Sequence, residues 1–209
     1  MKKTGIMGGT FNPIHFGHLA IARKAQEQFA LDEVLFIPSG IPYMKDLEEV
    51  LPPEIRCEMT RLAIEDTPSF ALSLIEVNKD KNTYTCETLK DLRASDPAAD
   101  YYFILGADSL WAMEDWKNPE EIFQNCHVLA AVRDDKSLTD MKNQITYLKE
   151  KFDADISILK IDPMDISSSM IRERVRDKLP IHDLVPQAVE TYIYNNKLYQ
   201  TLTGGNHHE

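Results

Sequence analysis

The sequence has little that could cross-link it or hold it in a membrane. Its three cysteines, Cys57, Cys86 and Cys126, are odd in number, far apart and without a CxxC spacing. That pattern excludes a disulfide framework or a zinc ribbon and suits a reducing cytoplasm. No apolar run approaches the roughly 18 residues of a membrane span, and Met1-Lys2-Lys3 leads straight into a strand-like segment, so a cytoplasmic protein is expected. Positive charge is scarce as well: 23 Lys and Arg face 34 Asp and Glu, a net charge of −11. Such a surface repels a phosphate backbone, which excludes long nucleic acid as a partner. A small anion is still admissible, because backbone amides and a few placed cations bind it locally. Two common nucleotide signatures are missing too: no GxGxxG follows the first strand, and no GK[ST] occurs there.

What is present fits one α/β domain. The 209 residues are 43% apolar, enough for a single core, expected over residues 1–200 with 201–209 as a frayed tail. Short runs rich in β-branched and aromatic residues predict strands at Lys3–Gly8, Glu33–Pro38, Phe70–Val77, Tyr101–Gly106, His127–Val132 and Ile156–Ile161. Segments of helical period separate them, including Leu19, Ala22, Ala25 and Phe29, then Ile55, Met59 and Leu62, and a closing Val189, Tyr192 and Ile193. Alternation of this kind predicts a doubly wound, mostly parallel sheet with helices on both faces. In such sheets ligands bind beyond the carboxyl ends of the strands, where the strand order reverses, so the loops after strands are the place to look.

The first of these loops reads Gly8-Gly9-Thr10-Phe11-Asn12-Pro13-Ile14-His15-Phe16-Gly17-His18. Two glycines allow close backbone approach, and a helix N-terminus follows with unpaired amides, together an anion cradle. His15 and His18, three apart, face one side of the first helical turn, with Gly17 leaving room for a ligand. Imidazole N–H groups there would stabilise charge growing on a phosphate in transfer. An isolated HxxH is equally a helix cap, a surface pair or part of a zinc site. A later segment, Ile166-Ser167-Ser168-Ser169-Met170-Ile171-Arg172, reads as a serine-capped helix start with an arginine one turn along. It offers a second phosphate site, or simply a capped helix. Arg174 and Arg176 are expected to pair with Glu173 and Asp177 on the solvated face.

The GGTFNPIHFGH stretch and the SSSMIR stretch about 150 residues later resemble the HxGH nucleotidyltransferase superfamily, and within it the bacterial nicotinate-mononucleotide adenylyltransferases. The resemblance covers essentially the whole chain. It implies a single Rossmann-like domain that moves AMP from ATP to nicotinate mononucleotide, releasing deamido-NAD and pyrophosphate by direct attack. It further implies that His18 stabilises the pentacovalent transition state, that His15 and Arg172 hold ATP phosphates, and that Mg²⁺ enters mainly bound to those phosphates. Gly8, Gly9, Thr10, Phe11, Gly106, Ser167, Ser168 and Ser169 fall at ATP-binding positions, with Ser169 where threonine is usual.

Ile41-Pro42-Tyr43-Met44-Lys45 stands where the family usually has PPHK, so Lys45 persists as a phosphate-seeking cation while the histidine is lost. For the acceptor, the resemblance points to Thr85 of the Thr83-Tyr84-Thr85 segment, to Asp108 of Gly106-Ala107-Asp108, and to Trp116 stacked on the pyridine ring. Read alone, Thr83 or Thr85 is a simple N-cap and Trp116 a core residue; Trp111 is expected in the core. Other small phosphorylated acceptors, nicotinamide mononucleotide or phosphopantetheine, and a non-catalytic nucleotide-binding module are the alternatives. His15 stands where phosphopantetheine adenylyltransferases have threonine. No protein-bound metal is expected, and a homo-oligomer is compatible with the sequence.

Overall fold

The computed structural model describes residues 1–40, 50–79, 82–132 and 138–200. Six strands, β1 (Lys3–Gly9), β2 (Glu33–Pro38), β3 (Phe70–Leu72), β4 (Asp100–Gly106), β5 (His127–Val132) and β6 (Ile156–Lys160), form one sheet in the order β3-β2-β1-β4-β5-β6. Every neighbouring pair is parallel. The order reverses between β1 and β4, so the crevice beyond their carboxyl ends is the switch point where such sheets bind ligands.

Side-chain alternation along each strand feeds two separate cores. Met7, Ile104, Leu129 and Leu159 point to one face, where they meet Ala22 and Ala25 of α1 (Phe16–Phe29), Met59 of α2 (Pro53–Ile64), Ile171 of α7 (Ser168–Arg176) and Val189 of α8 (Gln187–Asn195). Ile6, Phe103, Val128 and Ile156 point to the other face. They are covered by Leu89 of α3 (Thr85–Ser95), Leu110 of α4 (Ala107–Ala112), Ile122 of α5 (Pro119–Asn125) and Leu148 of α6 (Leu138–Phe152). The period-two pattern therefore places helices on both faces.

Two sequence expectations need correction. The third strand stops at Leu72 instead of running to Val77, because the chain turns at Ile75–Asn78, with the Asn78 N–H donating to Leu74 O at 3.0 Å. Trp111 is 39% exposed rather than core. On the single and a half turns of α4, Leu110 takes the inward position, and the next residue, about 100° round, faces out.

At the amino end of the sheet, His127 sits under Phe29 and stacks on Tyr102 (centroids 5.2 Å apart). Its ring lies 2.9 Å from Ser157 Oγ through Nε2 and 2.9 Å from Asp155 Oδ2 through Nδ1. A neutral ring with its proton on Nδ1 satisfies both contacts. Burial lowers the His127 pKa, with Asp155 and then Asp100 acting in opposition. A base whose folded pKa is depressed stabilises the fold fully above its unfolded value, about 6.5, and loses that contribution as pH falls below it. Thermal melting should therefore drop between pH 7.5 and 5.5, and by less in His127→Gln; an equal drop in both proteins would remove His127 as a cause.

Candidate active site

The loop between β1 and α1 is held from behind by side chains of two helices, α2 and α7. Arg56 of α2 donates from Nη1 to Thr10 O at 2.6 Å. Arg172 donates from Nη1 to Asn12 O at 3.1 Å, and the Ser168 hydroxyl donates to Pro13 O at 2.9 Å. The opening Gly-rich turn and the late serine-rich turn, 155 to 160 residues apart, thus meet directly. Ser167 is the N-cap of α7, its hydroxyl accepting from the Met170 N–H at 3.2 Å, and Ser169 Oγ lies 3.5 Å from Arg172 Nη2. Neither α1 nor α7 has an acidic residue in its first turn. Two positive helix ends therefore converge in a protein that is otherwise strongly negative.

His15 caps α1 in an extended conformation (φ −150°, ψ 171°) and is buried, while His18, at the third helical position, is partly exposed. The two rings lie against each other, tilted by 30°, with centroids 3.7 Å apart. The His15 backbone N–H donates to His18 Nδ1 at 3.3 Å. With Nδ1 accepting, a neutral His18 carries its proton on Nε2, which makes that nitrogen the donor. Phe11 sets its ring edge against His18 at 5.1 Å.

The glycines serve the site differently from their sequence reading. A Cβ on Gly17 would lie 3.0 Å from two atoms of the His15 ring, so Gly17 makes room for His15, not for a ligand. A Cβ on Gly9 would lie 2.9 Å from the Phe11 ring, again serving a side chain. Among the described glycines only Gly8 and Gly106 are open: the nearest atom to a Gly8 Cβ is 4.0 Å away, and nothing lies within 4 Å of one on Gly106. Phe11 itself takes a left-handed conformation, φ 49°.

Beside this loop opens a cavity of about 580 Å³, lined by Gly8, Gly9, Thr10, Thr85, Trp116 and Glu76 among others. Trp116 meets Phe103 edge-on at 6.1 Å. Neither Thr83 nor Thr85 is the N-cap of α3. That place belongs to Tyr84, and the Thr83 hydroxyl instead donates to Glu76 at 2.9 Å. Lys117, at the cavity wall, lies 4.1 Å from the Tyr84 ring centroid and bonds Glu87 at 2.8 Å. Gly106 and exposed Asp108 stand at the carboxyl end of β4 and in the first turn of α4, outside the cavity lining. Lys45 lies outside the described residues, as does the tail at 201–209. Arg174 pairs with Asp183 (3.3 Å) and with Pro180 O, because the chain after α7 folds back over that helix. A second hollow of about 610 Å³ between α2 and α8 contains none of the candidate catalytic or binding residues read from sequence.

Three site residues escaped the sequence reading. Arg56 is 0% exposed and gives its guanidinium to four carbonyls: Thr10, Ser39 (2.6 Å), Gly40 (2.9 Å) and Leu51 (2.8 Å). Buried Asn12 accepts at Oδ1 from the Tyr199 hydroxyl (2.9 Å) and the Leu51 N–H (3.3 Å). Tyr199, near the end of the described chain, thereby supports the opening loop.

Residues 6–174 match the cytidylyltransferase-like family model. The chain belongs to the cytidylyltransferase-like family. Among its relatives in this family, one from Lachnoclostridium phytofermentans is 45% identical over 95% of this chain and 100% of its own length. One from Carboxydothermus hydrogenoformans is 41% identical over 95% and 98%. Both are named "Probable nicotinate-nucleotide adenylyltransferase". The fold matches that of a Plasmodium falciparum nicotinic acid mononucleotide adenylyltransferase complexed with NaAD, with a TM-score of 0.76, 20% identity and coverage of 95% of this chain and 98% of that one. No described helix of this family member is long and apolar enough to cross a membrane.

Proposed function

We propose that this enzyme transfers AMP from ATP to nicotinate mononucleotide, forming deamido-NAD and pyrophosphate. The observation that carries the reading is the junction of the α1 and α7 N-termini through Ser168–Pro13 and Arg172–Asn12, beside a cavity walled by Thr85 and Trp116. The relatives' names and the adenylyltransferase fold support it.

The triphosphate lies across the two helix ends, with the loop amides, Ser167–Ser169 and Arg172 around it. The acceptor's phosphate oxygen attacks the α-phosphorus in line, and the bond from that phosphorus to the bridging oxygen breaks, so the electron pair leaves on pyrophosphate. His18 Nε2–H donates to the oxygens where charge grows, and His15 fixes the His18 ring. Among the described residues, no group of three or more His, Cys, Asp or Glu is arranged to hold a metal ion. Mg²⁺ would arrive bound to the triphosphate and would supply charge neutralisation there. The acceptor's pyridine ring stacks on Trp116 and its carboxylate meets the amide of Thr85 at the donor end of α3.

An acceptor panel tests this assignment. Nicotinate mononucleotide should exceed nicotinamide mononucleotide in kcat/KM by at least about tenfold, since amide donors built for a carboxylate discriminate against a neutral group. Equal use of both would remove the carboxylate role given to Thr85.

A further inference from the structure

Glu76 is a titratable group in the cavity wall that the reaction above does not use. It lies in the Ile75–Asn78 turn after β3, partly buried. Its Oε2 accepts from the Thr83 hydroxyl at 2.9 Å and its Oε1 from the Thr88 hydroxyl at 2.8 Å. Between those threonines run Tyr84, Thr85, Cys86 and Glu87, the cap and first turn of α3. The N–H groups of Glu87 and Thr88 both bond Tyr84 O, at 2.9 and 3.0 Å. The amides of Thr85 and Cys86 therefore precede the first intrahelical bond and form the donor end of the helix. The carboxylate clamps that end from both sides.

The same residue also steadies the loop after β2. A Cβ on Gly40 would lie 2.7 Å from Glu76 O, so the two backbones are in close contact. Burial raises the Glu76 pKa, against the hydroxyls of Thr88 and Thr83 and the Lys79 ammonium.

We propose that Glu76 is a positioning residue for the acceptor half of the reaction: by tying Thr83 to Thr88 it fixes the donor end of α3 in the cavity, and so sets affinity for the acceptor and not for ATP. The proposal rests on the adenylyl-transfer reading above. The two side-chain partners of Glu76, Thr83 just before α3 and Thr88 in its first turn, belong to the α3 end of the cavity lining and not to the α1–α7 junction, so the two substrates should separate in kinetics.

Steady-state kinetics of the full chain with ATP and nicotinate mononucleotide provide the test. Glu76→Ala should raise the acceptor KM about tenfold, the scale of one lost charged hydrogen bond, with the ATP KM within about twofold. Glu76→Gln, whose amide accepts from one threonine and donates to the other, should restore most of the loss. Thr83→Val removes one arm of the clamp and should reproduce part of the acceptor effect even where Glu76→Ala fails to fold. An unchanged acceptor KM in Glu76→Ala or Thr83→Val, or an ATP KM that rises equally, overturns the proposal. A wild-type protein inactive with nicotinate mononucleotide overturns the reaction itself, and with it the role built on it.

Discussion

His18→Ala is expected to lower kcat by about two to three orders of magnitude, the usual cost of removing one donor aimed at developing charge. Because His15 N–H donates to His18 Nδ1, the remaining nitrogen is protonated in the neutral ring. In the proposed reaction that N–H would strengthen its bond as the α-phosphorus gains a fifth oxygen, so its loss should appear in kcat more than in the KM for ATP. The ring is partly exposed and packs mainly on His15 and Phe11, so melting should barely move. His18→Gln keeps a donor of shorter reach and should recover part of the rate. A kcat within about twofold of wild type in His18→Ala would reject the donor role.

The second large effect is structural. Arg56→Met should cost about 3–5 kcal/mol, as breaking a buried charged network does. A fully buried arginine is expensive, and its pKa is pulled down by burial. Here four carbonyls offset that cost, and none of the partners among the described residues is a carboxylate. Methionine would fill the volume yet leave the carbonyls of Thr10, Ser39, Gly40 and Leu51 without their donor. For a chain of this size the melting temperature should fall by roughly 10 °C. Arg56→Lys should rescue little, since an ammonium cannot fork to four acceptors on two connections. Thr10 and Ser39 line the cavity, so both KM values should rise with the loss of stability. Unchanged melting in Arg56→Met would show that the clip is dispensable.

Much of this architecture is legible in the sequence because local and tertiary signals agree. β1, β2, β4, β5 and β6 are short apolar runs, and each sends residues into both cores, as strands covered on both faces do. The third strand misleads because Ser73-Leu74-Ile75-Glu76-Val77 keeps an apolar pattern after pairing ends; Ile75 is packed by the second core from within a turn. The HFGH and SSSMIR segments are legible as helix starts from their capping chemistry. Their union is a tertiary fact carried by Ser168 and Arg172.

Arg56 illustrates what a one-dimensional reading loses. A charged residue on an amphipathic helix reads as solvated, yet its spacing held the clue: positions 56, 60 and 64 share one stripe of α2, and all three are buried. Asn12 sat within the quoted motif without a role, because its partner Tyr199 is 187 residues away. Glu76 gave no signal at all, since its two threonine partners are recognisable only after the chain has turned.

The central claim is that one enzyme site joins ATP to nicotinate mononucleotide by direct transfer. Incubating the wild-type chain with both and quantifying the products tests it most directly. Deamido-NAD and pyrophosphate should appear in equal amounts and only when both substrates are present. Pyrophosphate released without the dinucleotide, or no dinucleotide at any concentration of acceptor, would contradict it.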